Sequence, residues 1–207
     1  MTGYFITGTD TDVGKTVASA WAMIHLDAAY WKPTQSGEPY DIDTVKALTE
    51  FPEDRFLPST YVLKQPLSPH EAAKRDGVNI DMNAFELPKT DWPLVVEGAG
   101  GLMVPLNKDA LVIDLIQQLG LPAILVCRSG LGTINHTLLS LEAMRKRNMD
   151  IAGIIINGPI TPHNRQALEE YGHVPVIAEI DELKPLNKMT LGAIPPEIDL
   201  LGRRQAA

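Results

Sequence analysis

The chain has 207 residues, of which 44% are hydrophobic and 21% are charged, a balance that is ordinary for a globular protein. This length predicts one domain over residues 1–207, with roughly 70% of the unfolded surface buried on folding. A formal net charge of -8, with no Lys/Arg run that forms a basic stripe, argues against nucleic-acid binding. Neither a basic N-terminal segment followed by an apolar run nor an apolar stretch of about 18 residues occurs. We therefore expect no signal peptide, no membrane span and a cytoplasmic location.

Short apolar runs alternate with helical patterns along the chain. Strands are predicted at Tyr4–Thr7, Ala29–Lys32, Pro93–Glu97, Ala123–Cys127, Ile151–Asn157, Val174–Ala178 and Leu191–Ile194. Helices are predicted after Thr16, at Thr44–Leu48, at Val112–Leu119 with Asp109 as the cap, at Leu138–Arg145 and at Gln166–Tyr171. Several strands are apolar almost throughout, which is typical of strands buried on both faces of a parallel sheet. The alternation predicts the α/β class, with a single-domain, open, mostly parallel, doubly wound sheet and flanking helices.

Two segments depart from this alternation. Residues 38–92 are polar and contain several prolines, which predicts a long excursion carrying one or two helices. Residues 202–207 are predicted to be a frayed tail.

The most informative stretch is YFITGTDTDVGKT, at residues 4–16. An apolar strand leads into a loop that ends in Gly14-Lys15-Thr16, and a helix-compatible run follows. This order is typical of phosphate-loop NTPases, in which backbone N–H groups and the helix N-terminus hold phosphate. Lys15 is then expected to reach the outer phosphates, and the Thr16 hydroxyl to hold Mg²⁺. The spacing has one residue more than the standard loop, because five residues separate Gly8 from Gly14.

Further polar residues follow predicted strands, at the edge where the carboxyl ends of parallel strands meet. Lys32 ends a strand of Ala, Tyr and Trp, and a buried cation there needs an anionic partner. Glu97 ends another strand and is placed either as a magnesium carboxylate or in a simple strand-ending turn. Asp43 lies just before a predicted helix, as its cap or as a second magnesium carboxylate, and Asp41 competes for the same role.

Six motifs in order, GTDTDVGKT, YWKPTQSG, LSPH, VVEGAGG, LGTINHT and IIING, resemble the dethiobiotin synthetase family from residue 4 to about residue 197. The family's own loop carries the extra residue. The resemblance implies an ATP- and Mg²⁺-dependent cyclo-ligase that joins 7,8-diaminononanoate and CO₂ into dethiobiotin. The route runs through a carbamate and a carbamic-phosphoric anhydride, with release of ADP and phosphate. It also implies a homodimer whose active site is completed at the interface.

The resemblance assigns roles residue by residue. The implied catalytic residues are Lys32, Lys15, Thr11 and Asp12. The implied nucleotide-binding residues are Asp12, Val13, Gly14, Lys15, Thr16, Val17, Asp43, Glu97, Gly98, Ala99, Gly100, Asn157, Gly158, Pro195, Pro196 and Glu197. The implied substrate-binding residues are Ser36, Gly37, Ser68, Gly132 and Asn135, and the implied metal ligands are Thr16, Asp43 and Glu97.

Two rival functions share the phosphate loop. A cobyrinate-type amide synthetase usually carries an added amidotransferase domain with a catalytic cysteine, whereas Cys127, the one cysteine, sits in an apolar strand. A partitioning or scaffold ATPase that acts as a nucleotide switch generally has a lysine early in its phosphate loop. Here the corresponding positions are Thr9 and Asp10.

Overall fold

A computed structural model describes residues 2–200 and residue 202. Its strands are β1 (Gly3–Gly8), β2 (Ala29–Trp31), β3 (Thr34–Ser36), β4 (Phe56–Leu57), β5 (Tyr61–Leu63), β6 (Leu94–Gly101), β7 (Ala123–Arg128), β8 (Ile151–Asn157) and β9 (Val176–Ile180). Its α-helices are α1 (Lys15–Leu26), α2 (Asp41–Thr49), α3 (Pro69–Asp76), α4 (Val112–Leu119), α5 (Thr133–Arg145), α6 (Pro162–Gly172) and α7 (Lys188–Gly192).

Seven strands form one sheet in the order β4-β2-β6-β1-β7-β8-β9, and every pairing between them is parallel. The predicted parallel, doubly wound α/β fold is confirmed. A second, two-stranded parallel sheet, β3-β5, extends from the segment after β2.

Side chains alternate between the two faces of the large sheet, because successive residues of a strand point to opposite sides. On one face, Tyr4, Ile6, Tyr30 and Val95 pack against α1, α2 and α7. Their neighbours along the same strands face the other way and pack against α3 and α4, while the β7 and β8 side chains of that face meet α5 and α6. Both faces are therefore covered, which explains the near-continuous apolar strand sequences.

The excursion over residues 38–92 contains α2, α3 and the short strands β4 and β5. The sequence did not predict β3, β4 or β5, because strands of two or three residues are too short to show a period. Except for Gly202, the predicted tail over residues 202–207 lies outside the described residues.

Two local predictions are wrong, and one of the two roles left open for Asp43 is excluded. The strand predicted at Leu191–Ile194 is instead the end of α7 and the turn after it, because Asn187 caps that helix by accepting from the Thr190 amide. The cap of α4 is Leu111 rather than Asp109, and the Asp114 carboxylate accepts from the Leu111 amide at 2.8 Å. Asp43 does not cap α2, because that helix begins two residues earlier, at Asp41.

Within the described part of the chain, none of the helices has both the length and the apolar character needed to cross a bilayer. The cytoplasmic location stays a prediction.

Candidate functional site: a phosphate loop beside a buried lysine

The loop between β1 and α1 touches the end of β8 through Gly14. This residue has φ +94°, a left-handed conformation that glycine adopts without strain. A Cβ at Gly14 would lie 2.2 Å from Nδ2 of Asn157, so the close approach also requires glycine. The loop is followed directly by the N-terminus of α1, where free N–H groups and the helix dipole favour an anion.

Lys15 and Thr16 begin α1, and both line a cavity beside the phosphate loop. The Lys15 ammonium donates a hydrogen bond to the backbone oxygen of Asp10 at 2.8 Å, within its own loop. Burial lowers the pKa of Lys15; the carboxylate of Glu97 opposes this effect and the ammonium of Lys32 adds to it. Lys15 shares its cavity with a second lysine, Lys32, and with the carboxylates of Asp12, Asp41 and Glu97.

Lys32 is almost fully buried and lies between two carboxylates. Its Nζ is 2.6 Å from Oδ2 of Asp41 and 3.0 Å from Oε1 of Glu97, and it also donates to the Gly98 oxygen at 3.3 Å. Burial alone would lower the pKa of Lys32, but the charges of Glu97 and Asp41 outweigh it, and the pKa is raised. Lys32 is therefore a fixed cation at neutral pH.

Thr16, Lys32, Asp41 and Glu97 form one charged cluster. The Oγ1 of Thr16 is 3.0 Å from Oδ1 of Asp41 and 3.0 Å from Oε1 of Glu97. A hydroxyl and two carboxylates are the oxygen donors that Mg²⁺ prefers, so these three side chains fit that ion. Among residues 2–200 and 202, no three His, Cys, Asp or Glu side chains are grouped as a metal site would need.

Strand register brings the cluster together. Tyr30 pairs with Val95 and Trp31 with Val96, so Lys32 comes beside Glu97 where β2 ends next to β6. Lys32 and Glu97 lie on the sheet face that α1 and α2 cover, and each of those helices starts with a polar residue of the cluster.

The cavity around the cluster has a volume of about 830 Å³. This size lies within the range of small-molecule sites. Its lining combines the charged cluster with apolar and small polar side chains from the excursion and from the loop after β6. The lining residues are Thr11, Asp12, Gly14, Lys15, Thr16, Lys32, Gln35, Ser36, Pro39, Asp41, Pro66, Leu67, Ser68, Pro69, Glu97, Ala99, Gly100 and Val104.

Comparison with known proteins identifies the family. The AAA domain family matches residues 2–190. The ATP-dependent dethiobiotin synthetase of Paramagnetospirillum magneticum is 53% identical over 198 residues, which are 95% of this chain and 96% of that protein. The enzyme of the same name from Rhodopseudomonas palustris strain TIE-1 is 46% identical over 91% of this chain and 90% of its own.

The chain belongs to the AAA domain family and to the dethiobiotin synthetase family. The predicted family is confirmed, and with it the prediction of an enzyme. A chain of the MinC:MinD cell division protein complex of Aquifex aeolicus superposes with a TM-score of 0.51 over 95% of this chain and 87% of its own. At 13% identity this likeness shows the fold alone.

The structure separates Asp41 from Asp43, the two aspartates for which the sequence left the role of magnesium ligand open. Asp41 lines the cavity and contacts Lys32 and Thr16, whereas Asp43 is exposed on α2 and is not among the lining residues. The residues assigned to substrate binding near Asp41 also differ in whether they line the cavity. Ser36 and Ser68 line the cavity, while Gly37 instead packs its backbone against Pro66.

Other assigned residues lie around the phosphate loop. Thr11 and Asp12 are exposed at the cavity, and Val13 is buried beneath the loop. Val17 is half-buried in the first turn of α1. Gly98 is buried against the ring of Phe5 and contributes its carbonyl oxygen to Lys32.

Five residues are assigned to the base: Asn157 ends β8, Gly158 follows it, and Pro195, Pro196 and Glu197 come after β9. The Gly158 amide donates to the Ile180 oxygen, and the Glu197 amide donates to the Ile177 oxygen, both at 2.8 Å. The Glu197 carboxylate is paired with Arg165 of α6, at 2.7 Å between Nη1 and Oε1. Pro195 and Pro196 directly precede Glu197, and none of the five lines the large cavity.

Gly132 and Asn135 do not line the cavity either. Both are exposed at the start of α5, where Gly132 is the residue before the helix. They are accessible to another molecule.

Several residues of the site were missed by sequence reasoning. Tyr30 donates from its hydroxyl to Oε2 of Glu97 at 2.9 Å, and burial together with the Glu97 and Asp41 charges raises its pKa. Gln35 bridges the Gly37 oxygen and the Asp41 amide. The sequence could have indicated Tyr30, because it lies two residues before Lys32 and therefore on the same face of the strand.

Proposed function

We propose that this chain uses ATP and Mg²⁺ to carboxylate and cyclise 7,8-diaminononanoate to dethiobiotin. The proposal rests on one observation: Lys32 is buried between Asp41 and Glu97 beside the phosphate loop, in a chain that is 53% identical to an ATP-dependent dethiobiotin synthetase. The Lys32 ammonium and these two carboxylates therefore lie where the γ-phosphoryl group of ATP and the carbamate would meet.

The proposed chemistry has three steps. One amine of the substrate attacks CO₂ and loses a proton, which forms a carbamate. A carbamate oxygen then attacks the γ-phosphorus of ATP and ADP leaves, which forms a carbamic-phosphoric anhydride. The second amine attacks the carbonyl carbon, phosphate leaves and a proton is lost as the ureido ring closes.

Lys15 and Lys32 would stabilise the negative charge that develops between the carbamate and the γ-phosphoryl group. Preorganised cations at such a position commonly supply a large share of catalysis. The exposed Thr11 and Asp12 at the cavity would contact the γ-phosphate and the substrate amines. Because the pKa of Lys32 is raised, it would keep its charge throughout.

Thr16, Glu97 and one aspartate would hold Mg²⁺, which would help to neutralise the charge of the phosphate groups. The contacts of Asp41 favour it over Asp43 for this role. Asn157, Gly158 and the segment Pro195–Glu197 would flank the base, since Asn157 touches the phosphate loop and the segment is tied to β9. Ser36, Gly37 and Ser68 would form the substrate side.

We also propose that the chain acts as a single-domain homodimer in which Gly132 and Asn135 reach the substrate of the partner subunit. Their exposure at the start of α5 supports this arrangement, as does the fully exposed Leu131 beside them.

The deciding experiment measures phosphate release from Mg-ATP with and without 7,8-diaminononanoate and bicarbonate, with mass detection of the product. We expect release that depends on the diamine and a product with the mass of dethiobiotin. Phosphate release that ignores the diamine would contradict the proposal and favour a nucleotide switch. Release that requires a carboxylate and ammonia would favour an amide synthetase.

A further inference from the structure

Tyr30 is a fully buried residue in the middle of β2, and its hydroxyl points toward Glu97. Its ring packs among the side chains on the α1 side of the sheet and lies 6.4 Å from that of Phe56. Its hydroxyl donates a hydrogen bond to Oε2 of Glu97 at 2.9 Å. Tyr30 does not line the cavity, so it would not contact a molecule bound there.

The two oxygens of Glu97 therefore have different surroundings. Oε1 faces the cluster and is 3.0 Å from Thr16 Oγ1 and 3.0 Å from Lys32 Nζ. Oε2 is held by the hydroxyl of Tyr30. A carboxylate can rotate about its last bond, and a hydrogen bond to one oxygen opposes that rotation and fixes the direction of the other.

We infer that Tyr30 is a positioning residue that holds Glu97 so that only Oε1 is presented to a metal ion bound with nucleotide. This inference rests on the proposed function, in which Glu97 is a magnesium ligand. Residues that hydrogen-bond a metal ligand from behind commonly change metal affinity by about 10–100-fold when the bond is removed. Tyr30 fits this class because its hydroxyl contacts Glu97 while its side chain does not line the cavity.

The test compares Tyr30→Phe with Tyr4→Phe. Both changes remove one hydroxyl from a buried tyrosine on the same face of the sheet, but the Tyr4 hydroxyl donates to the Leu200 oxygen, away from the cluster. Electron paramagnetic resonance measures the dissociation constant of Mn²⁺ for each protein in the presence of a non-hydrolysable ATP analogue. Thermal unfolding without metal measures the stability of each variant.

We expect Tyr30→Phe to raise the Mn²⁺ dissociation constant by about 10-fold or more, and Tyr4→Phe to leave it within about twofold of the original chain. Raised Mg²⁺ should restore much of the turnover of Tyr30→Phe, because the variant lacks metal affinity and not a reacting group. Should Tyr30→Phe fail to fold, Tyr30→Met provides a second variant without the hydroxyl.

Equal Mn²⁺ affinity in the original chain and Tyr30→Phe would overturn the inference, as would equal losses in the two variants. Failure of the proposed function is a separate result: the original chain would bind Mn²⁺ and nucleotide but form no dethiobiotin. In that case a selective effect of Tyr30→Phe would still support its role at Glu97.

Discussion

Lys32 shows how a single buried charge can be both costly and useful. A lone ammonium in the interior is strongly disfavoured, and here Asp41 and Glu97 offset that cost at 2.6 Å and 3.0 Å. The same arrangement keeps Lys32 immobile, since its hydrogen-bonding capacity is used by Asp41, Glu97 and the Gly98 oxygen. A cation held in place in this way needs little reorganisation as charge develops nearby.

Replacing Lys32 by Gln tests this role. We expect ring closure to fall by at least ~10²-fold, a plausible effect of losing one charge contact in the transition state. Nucleotide binding should remain largely intact, because Lys15 and the loop stay in place, whereas Lys15→Gln should weaken both binding and rate. Calorimetric titration with ATP and the dethiobiotin assay measure the two quantities. Turnover near that of the original chain would remove Lys32 from the catalytic residues.

The pair Asp41 and Asp43 offers a matched comparison within one helix. Asp41→Asn should raise the Mg²⁺ concentration needed for half-maximal turnover by at least about 10-fold, because its carboxylate contacts Thr16 and Lys32. Asp43→Asn should have little effect, because Asp43 is exposed away from the cavity. Magnesium titrations of the two variants check this, and the reverse order would place the metal at Asp43.

At the scale of elements, the site exists because four elements meet. The carboxyl end of β2 brings Lys32, the middle of β6 brings Glu97, and the N-termini of α1 and α2 bring Thr16 and Asp41. Gln35 supports this junction by accepting from the Asp41 amide at 3.2 Å, which links the segment after β2 to the start of α2. The helix ends contribute favourable N-terminal dipoles in addition to their side chains.

The phosphate loop depends on the contact between Gly14 and Asn157. Gly14→Ala should reduce nucleotide affinity strongly, by about tenfold or more, because a Cβ 2.2 Å from Nδ2 forces the loop or Asn157 to move. Gly120→Ala is the control, since Gly120 also has a positive φ, +67°, but no atom within 4 Å of an added Cβ. It should cost about 1–2 kcal/mol of stability without changing nucleotide binding. Calorimetric titration and chemical denaturation separate the two effects, and equal binding losses would contradict the argument.

For the whole molecule, the end of the described chain is anchored to several elements at once. Trp21 of α1 donates to the Ile194 oxygen at 2.8 Å, Arg165 of α6 pairs with Glu197, and β9 accepts from the Glu197 amide. Hydrogen bonds to Glu197 raise the pKa of Arg165, and those from Arg165 lower the pKa of Glu197. The segment proposed to flank the base is thereby held against the sheet that carries the phosphate loop.

The proposed dimer yields a prediction at this scale. Leu131→Asp should shift the chain toward monomer and raise the KM for the diamine by about 10-fold, because a charge disfavours burial in an apolar contact next to Gly132. Met189→Asp is the control, since Met189 is 76% exposed on α7. Sedimentation equilibrium measures the association. A monomer in the unsubstituted chain, with full activity, would exclude an active site completed by a partner.

The sequence by itself determined the parallel α/β fold and the position of the phosphate loop. Apolar strands such as Ala123–Cys127 can be buried only between two layers of helices, and Gly14-Lys15-Thr16 follows a strand and precedes a helix. It also determined the family, because the motifs around Lys32 and Glu97 are local in the chain. Each of these features depends on residues that are adjacent in the sequence.

Only the tertiary structure decided which distant side chains meet. Asp41 and Asp43 are two residues apart on one helix, and the orientation of α2 against α1 places Asp41 at Thr16 and leaves Asp43 exposed. The contact between Tyr30 and Glu97 likewise depends on the pairing of β2 with β6. Such contacts are set by strand register and helix packing between segments far apart in the chain, which local sequence patterns do not encode.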